Sequence, residues 1–310
     1  MPAEFQNSGN ARRVLIAGAS GMIGRPLAKF LAEAGHTVHT LVRRAPDDPL
    51  QHQWDPVAGV IHSGIIDHVD VVINLSGASI GKIPWTSRHK DLILSSRLSA
   101  TQTLARAISG AQTPPSLLVQ GSAVGFYGNR GEETLDENSA AGSGFLAHVV
   151  SEWEQAARPA RSADTRVAYA RTGLVVGRGG AMAPLKLQTL LGVGGRVGPG
   201  TQWWPWISLL DEVRAFAHLV VHETDLEVFN LVGPEPATAQ DVTTELARSL
   251  HRPHLIGLPT RAITTLMGEA GDALLLSSQK IVSKTLPVTG FTWKHSTVGE
   301  AIAHMLKNQN

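Results

Sequence analysis

Residues 12–44, "RRVLIAGASGMIGRPLAKFLAEAGHTVHTLVRR", constrain the fold more than any other stretch of the chain. They read as a short apolar strand, a glycine turn, a helix with apolar residues at helical spacing, and a second strand. Two strands joined by a crossover helix run parallel, so this unit commits the chain to a parallel sheet. Further β-rich runs follow at "DVVINLSG" (70–77), "SLLVQGSA" (116–123), "TRVAYARTGLVVG" (165–177) and "EVFNLVG" (227–233), with helical stretches at 86–109 and 144–163 between them. Alternation of this kind predicts an α/β protein, a Rossmann-type doubly wound parallel sheet covered on both faces. After Gly177 the texture changes to Gly and Pro clusters with three Trp, then helix-rich sequence from about residue 238 to the end. The predicted organisation is a dinucleotide-binding unit over 12–177 with a returning segment at 205–233. A smaller substrate domain over 178–204 and 234–310 completes it.

Within the turn, Gly18, Gly21 and Gly24 form a GxxGxxG pattern directly after a strand and at the mouth of a helix. Gly18 permits a tight turn, Gly21 lets backbone approach a pyrophosphate, and Gly24 lets the helix lie close on the strand. Ser20, Met22 and Ile23 fill the turn between them, and the helix N-terminus presents unpaired N–H groups to the phosphates. Roughly twenty residues on, an NAD enzyme would hold an acidic residue against the ribose 2′-hydroxyl. This chain has Arg43 and Arg44 there. A guanidinium pairs with a 2′-phosphate that a carboxylate would repel, so the predicted cofactor is NADP(H), with Arg43 preferred over Arg44.

Composition narrows the partners. Lys plus Arg number 27 against 26 Asp plus Glu. With no broad basic or acidic field, nucleic acid and membrane surfaces are excluded in favour of a small molecule. No apolar run approaches the length of a membrane span, and the first twelve residues carry no apolar signal region, so a soluble cytoplasmic protein is expected. Absence of Cys excludes disulfides and thiol chemistry. Thirteen His contain no HxH or HxxxH pair joined by a third acidic ligand, so no metal is expected. A homodimer is the assembly left open.

The ordered series "WDP" (54–56), "DVVINLSGASI" (70–80), "SSRLSATQTL" (95–104), "GSAVGFYG" (121–128), "EWEQAA" (152–157), "RTGLVVGRGGAM" (171–182), "GVGGRVGPGTQWWPWI" (192–207), "FNLVGPEP" (229–236), "MGE" (267–269) and "GFTW" (290–293) resembles the atypical extended short-chain dehydrogenase/reductases of the epimerase family. Ser208 stands where that group usually has His, and Ser283 where it often has Pro. The resemblance implies an NADP(H) fold with a carboxy-terminal substrate domain. It places Asn74, Leu75, Ser76 and Gly77 beside the adenosine and ribose, and Ser122 where related enzymes hydrogen-bond the reacting oxygen.

Active members of the superfamily carry a Tyr that exchanges the proton and, four residues later, a Lys that lowers its pKa and holds the nicotinamide ribose. This chain has two tyrosines; Tyr127 is followed four residues on by Gly131 and Tyr169 by Gly173, so no YxxxK exists. Three registers of the helix "FLAHVVSEWE" are open: Phe145 with Val149, Leu146 with Val150, or His148 with Glu152. Only the last offers titratable groups, and His needs no Lys to act at neutral pH. His148 and Tyr127 are therefore the candidate acids, beside Ser122 as the candidate oxygen ligand. Arg97 and Thr101 share a face of the long helix in a structural role, Arg171 ends a strand as an ion-pair or cleft residue, and Asp211 is a helix cap or a first-turn charge. Trp203, Trp204 and Trp206 divide between core and cleft. The two functions that follow are an NADP(H)-dependent oxidoreductase or epimerase-like enzyme acting on a carbonyl or secondary alcohol, and a non-catalytic NADP(H) sensor or scaffold.

Overall fold

A computed structural model describes residues 11–307. The strands β1 (Arg13–Ala17), β2 (Thr37–Val42), β3 (Gln51–Asp55), β4 (Val60–Ile61), β5 (Val71–Asn74) and β6 (Leu117–Ala123) belong to one sheet. The strand β7 (Thr134–Leu135) lies outside it, while β8 (Arg166–Thr172) returns to it. Next come β9 (Leu174–Val176), β10 (Trp203–Trp204) and β11 (Trp206–Ser208), then β12 (Val228–Leu231), which adds the outermost strand. The eight strands run in the order β12-β8-β6-β5-β1-β2-β3-β4. All neighbours are parallel except β4, which folds back antiparallel on β3. Strand order reverses between β1 and β5, and at such a switch point the carboxyl ends of an α/β sheet open a ligand crevice.

Both faces are apolar because neighbouring residues of each central strand serve opposite cores. Val14 and Ile16 of β1 pack with Leu27 and Leu31 of α1 (Gly24–Glu33), while Leu15 and Ala17 pack with Ala100, Leu104 and Ile108 of α2 (Ser87–Ser109). The helix α3 (Phe145–Ala157) lies beside α2. The next helix, α4 (Met182–Leu190), belongs to the carboxy-terminal part, and α5 (Leu209–Val221) lies beside α1. A separate cluster joins Met182 and Leu185 of α4, Trp204, Trp206, Val242 and Leu246 of α6 (Ala239–Ser249), and Ala301, Ile302 and Met305 of the last helix, Val298–Lys307. It forms the core of the carboxy-terminal domain. Three two-stranded ladders lie outside the main sheet: β9 with β11, β10 with β13 (Ala237–Thr238), and β7 with β14 (Lys280–Ile281), the last joining the segment after β6 to the carboxy-terminal part.

The segment near 227–233 returns to the sheet as predicted, with Asn230 beside Arg171. The continuous strand predicted over 165–177 is instead broken at Gly173, whose N–H donates to the Leu231 carbonyl and whose α-carbon faces the Pro205 carbonyl too closely to admit a side chain. Toward the β4 edge the sheet becomes more polar: Gln51, His52 and Gln53 of β3 are half-buried, while Trp54 of the same strand is buried.

Candidate functional site

The glycine turn is held by backbone contact. Gly18 has φ of 85°, and a Cβ there would come within 2.7 Å of the Leu75 carbonyl at the end of β5. A Cβ on Gly24 would overlap the Gly18 carbonyl, so Gly24 is what allows α1 to start hard against β1. Ser20, Gly21 and Met22 are exposed, Ile23 is half-buried, no side chain caps α1, and no acidic residue stands in its first turn. The N-terminal N–H groups and the positive end of the helix dipole are thus unopposed, which is what a pyrophosphate requires. Met22 reaches across to Gly179 and Gly180, in the loop that leads into α4.

At the end of β2 the two arginines part company. Arg44 donates to the Ala45 carbonyl and pairs with Asp47 at 3.0 Å. Arg43 is exposed and, among the described residues, makes no hydrogen bond or ion pair. Leu75 and Ser76 are half-buried and Gly77 is exposed, along the loop that leaves β5. That loop is anchored from below: Asn74 accepts from the Ser76 N–H at 3.1 Å and donates to Thr101 and Gln120, and Thr101 also accepts from the Trp153 indole at 2.9 Å. Glycine cradle, uncapped helix and free guanidinium together fit a dinucleotide carrying a 2′-phosphate.

Of the predicted reacting groups, Ser122 and Tyr127 share one hydrogen-bonded chain and His148 lies outside it. Ser122 is 5% exposed and donates to Glu154 Oε1 at 2.6 Å. Glu154 in turn holds Arg171 through two hydrogen bonds, from Nε at 2.8 Å and Nη2 at 2.9 Å. Arg171 Nη1 donates to the Tyr127 hydroxyl at 3.0 Å, and Tyr127 donates to Asn230 Oδ1 at 2.7 Å. Tyr127 has no solvent contact, and burial pushes its phenol pKa up despite the neighbouring Arg171. Its hydroxyl is committed at both ends. His148 is exposed and its side chain makes no hydrogen bond among the described residues; Glu152 is half-buried, and the two are not partners. The stripe of α3 that faces the sheet is the second register: Leu146 and Val150 lie against Gly125 beyond β6, and Glu154 follows one turn on. Glu154 escaped the sequence reading, although its place four residues after Val150 puts it on the same helix face.

A second hydroxyl–carboxylate pair stands next door. Thr172, beside Ala123 across the sheet, donates to Glu212 Oε1 at 2.7 Å, and Glu212 is fully buried. Asp211 behaves as predicted, in the first turn of α5: Ser208 caps its N–H at 3.0 Å, and Arg214, His295 and the Lys294 N–H all donate to its carboxylate. Where the resembling group has His, Ser208 receives one from elsewhere, since His295 Nδ1 lies 2.8 Å from its hydroxyl. Trp204 and Trp206 are core residues. Trp203 is half-buried, donates its indole N–H to Glu132 at 2.8 Å and lies under the Lys280 ammonium. Among the described residues no helix is long and apolar enough to cross a membrane, and no three His, Asp or Glu cluster as metal ligands.

Comparison with known proteins agrees with this geometry. The family model described as the NAD dependent epimerase/dehydratase family matches residues 14–232, and a domain of unknown function matches 258–305. An epimerase family protein of Mycobacterium tuberculosis is 38% identical over 292 residues, covering 94% of this chain and 96% of the relative. Among solved structures, human epimerase family protein SDR39U1, determined with NADPH, superposes with a TM-score of 0.85 at 31% identity, covering 96% of this chain and 99% of that one. A nucleoside-diphosphate sugar epimerase from Corynebacterium glutamicum gives 0.79 at 33% identity, over 96% of this chain and 59% of its own. The glycine turn, the strand order and the carboxy-terminal domain thus place the chain in the NAD dependent epimerase/dehydratase family.

Proposed function

We propose that the protein binds NADP(H) and acts as an oxidoreductase or epimerase-like enzyme on a carbonyl or secondary alcohol of a small molecule. The observation that carries this reading is Arg43, exposed and without a partner among the described residues at the end of β2, beside the open glycine turn. The solution of human SDR39U1 with NADPH supports the choice of cofactor. Gly18, Ser20, Gly21, Met22, Ile23 and Gly24 would take the pyrophosphate, Arg43 the 2′-phosphate with Arg44 behind it, and Leu75, Ser76 and Gly77 the adenosine side. Bound there, the nicotinamide supplies hydride chemistry.

Ser122 is the residue assigned to the reacting oxygen. Its proton already points to Glu154, so it has acceptor lone pairs left, which suit the hydroxyl of an alcohol better than a carbonyl oxygen. A proton accepted by Ser122 from the alcohol while its own passes to Glu154 would leave the serine neutral and Glu154 protonated, the pair gaining the proton as the nicotinamide would take the hydride. Tyr127, sealed from solvent, and His148, turned outward, have no part in this route. The sensor reading keeps one specific support, the apolar Leu146 and Val150 on the sheet-facing stripe of α3 where a proton donor and a cation would stand.

Arg43→Asp replaces an attractive charge by a repulsive one at the 2′-phosphate. The expected outcome is a tenfold to hundredfold weakening of NADPH, about 1.4–2.8 kcal/mol, with NADH little changed. Calorimetric titration of both nucleotides reads this directly, and equal effects on the two would remove the assignment. Oxidation of NADPH by any member of a carbonyl library would exclude the sensor.

A further inference from the structure

The helix α4 is apolar on two sides. Met182 and Leu185 pack into the core of the carboxy-terminal domain, while Leu187 and Leu190, with Leu191 just past the helix end, stay exposed. Those three stand at i, i+3 and i+4, so they share one face. A helix with apolar residues all round is normally covered.

The chain on either side widens the patch. The Val193 N–H donates to the Gln188 carbonyl at 3.1 Å, which folds Val193 back on the end of α4. From there 193–197 runs beside 254–258: the Leu258 N–H donates to the Arg196 carbonyl at 2.7 Å, Val197 pairs with Leu258, and the Gly195 α-carbon lies against the Ile256 backbone. Arg252 Nε donates to the Leu190 carbonyl at 3.3 Å and pins the second segment to the helix end. Leu255 and Ile256 thus join Val193 and the three leucines, and all six residues are between 42% and 82% exposed. A contiguous exposed apolar patch marks an interaction site.

Charge says what kind of partner fits. Residues 178–200 and 250–268 hold five Lys or Arg and no Asp or Glu. Of these, Lys186 lies on α4, Arg196 beside Gly257 and Arg252 at the helix end, and among the described residues none of the three pairs with a carboxylate. The even balance of 27 basic and 26 acidic residues belongs to the whole chain and not to this face. A second copy docked across a two-fold axis would set the same cations against themselves. A bilayer with anionic headgroups satisfies both halves at once, because its acyl region takes the leucines and its headgroups take the cations.

We infer that the outer face of α4 and the loop 252–257 dock the protein on an anionic lipid bilayer. The inference stands apart from the NADP(H) reading and neither needs it nor supports it. The other end of α4 follows Gly179 and Gly180, which meet Met22 of the glycine turn, so the docking face and the candidate cofactor cradle lie at opposite ends of one nine-residue helix.

The experiment is sedimentation of the full chain with large vesicles of phosphatidylcholine alone and of phosphatidylcholine carrying phosphatidylglycerol. The wild type is expected to partition onto the anionic vesicles at least tenfold more strongly, and added salt to weaken that binding. Leu191→Gln with Leu255→Gln, and separately Arg196→Gln with Arg252→Gln, are each expected to lower the partition at least tenfold. Val57→Gln, at an exposed position in the turn between β3 and β4, is the control and leaves it unchanged. Matching thermal unfolding midpoints show that the variants are folded. No binding of the wild type at low salt would overturn the inference, as would equal binding to both vesicle types or binding that either double variant retains. A wild-type dimer in sedimentation equilibrium that the leucine pair dissolves would give the face to a second copy and overturn it as well.

Discussion

Glu212 has no contact with solvent; one carboxylate oxygen accepts from Thr172, and the other, Oε2, meets no donor. Burial pushes its pKa from the ordinary 4.5 to about 8, a shift that the Thr172 hydrogen bond only reduces. The group is therefore neutral in the folded protein at pH 7, while an unfolded chain would ionise it. Stability from this residue is fully present below pH 4.5 and is lost as the pH rises toward 8, at a slope approaching 1.4 kcal/mol per pH unit. Glu212→Gln keeps the shape and removes the titration. Urea unfolding at pH 5 and pH 8 is expected to show the wild type losing a few kcal/mol more than the variant over that interval. Parallel curves for the two would mean that Glu212 is ionised in place. At the same scale, the arginine pair at the end of β2 was readable as a pair and not as individuals. Nothing in "VRR" says that Asp47 will turn back and take Arg44.

Among the elements, α3 shows how a helix keeps a register while changing its chemistry. Leu146 and Val150 pack against the turn beyond β6, and Glu154 continues the stripe down to Ser122 and Arg171. Arg171 is 4% exposed and is held by both oxygens of Glu154, with Phe126 stacked on its face at 3.5 Å. Removing one partner of a buried pair strands the other, which is far costlier than never having built the pair. Glu154→Ala is accordingly expected to lose about 3 kcal/mol of stability in urea unfolding. A loss below about 0.5 kcal/mol would place this pair with idle surface bridges. The helix itself was legible from its apolar spacing, and its observed span, Phe145–Ala157, lies within the predicted 144–163. Its working face was not legible, because three registers satisfy that spacing and only the position of β6 chooses among them.

For the whole molecule the question is what fixes the two domains to each other. Glu137, beyond β7, accepts from the Asn230 N–H on β12 and from the Lys284 and Thr285 N–H groups and the Thr285 hydroxyl. One carboxylate thus ties the loop after β6, the outermost strand of the sheet and the carboxy-terminal segment. Glu137→Ala leaves these donors without a partner, at a cost of roughly 1–3 kcal/mol each for those that stay dry. A drop of several kcal/mol in global stability, read by thermal and urea unfolding monitored at the Trp residues, is the expected outcome; an unchanged midpoint would show that water replaces the carboxylate. Lys90 of α2 also pairs with Glu269 of the carboxy-terminal part at 2.7 Å and lies 4.4 Å over the Phe145 ring, which meets Trp85 edge-on. That bridge is partly exposed and adds little energy.

The amino-acid sequence by itself determined what depends on neighbours along the chain: the strand, turn and helix around Gly18–Gly24, the alternation that makes a parallel sheet, the arginines in place of an acid at the end of β2, and the absence of any YxxxK. Each follows from local backbone sterics, side-chain period or counting. Tertiary structure alone decided which arginine is free, that Tyr127 is sealed between Arg171 and Asn230, that His148 faces water, and that Arg97 comes under Gly77 to stack on Trp153. These depend on burial and on contacts between segments dozens of residues apart. Such contacts are fixed by how the sheet is ordered and which helix faces cover it, and no stretch of sequence carries that order within itself.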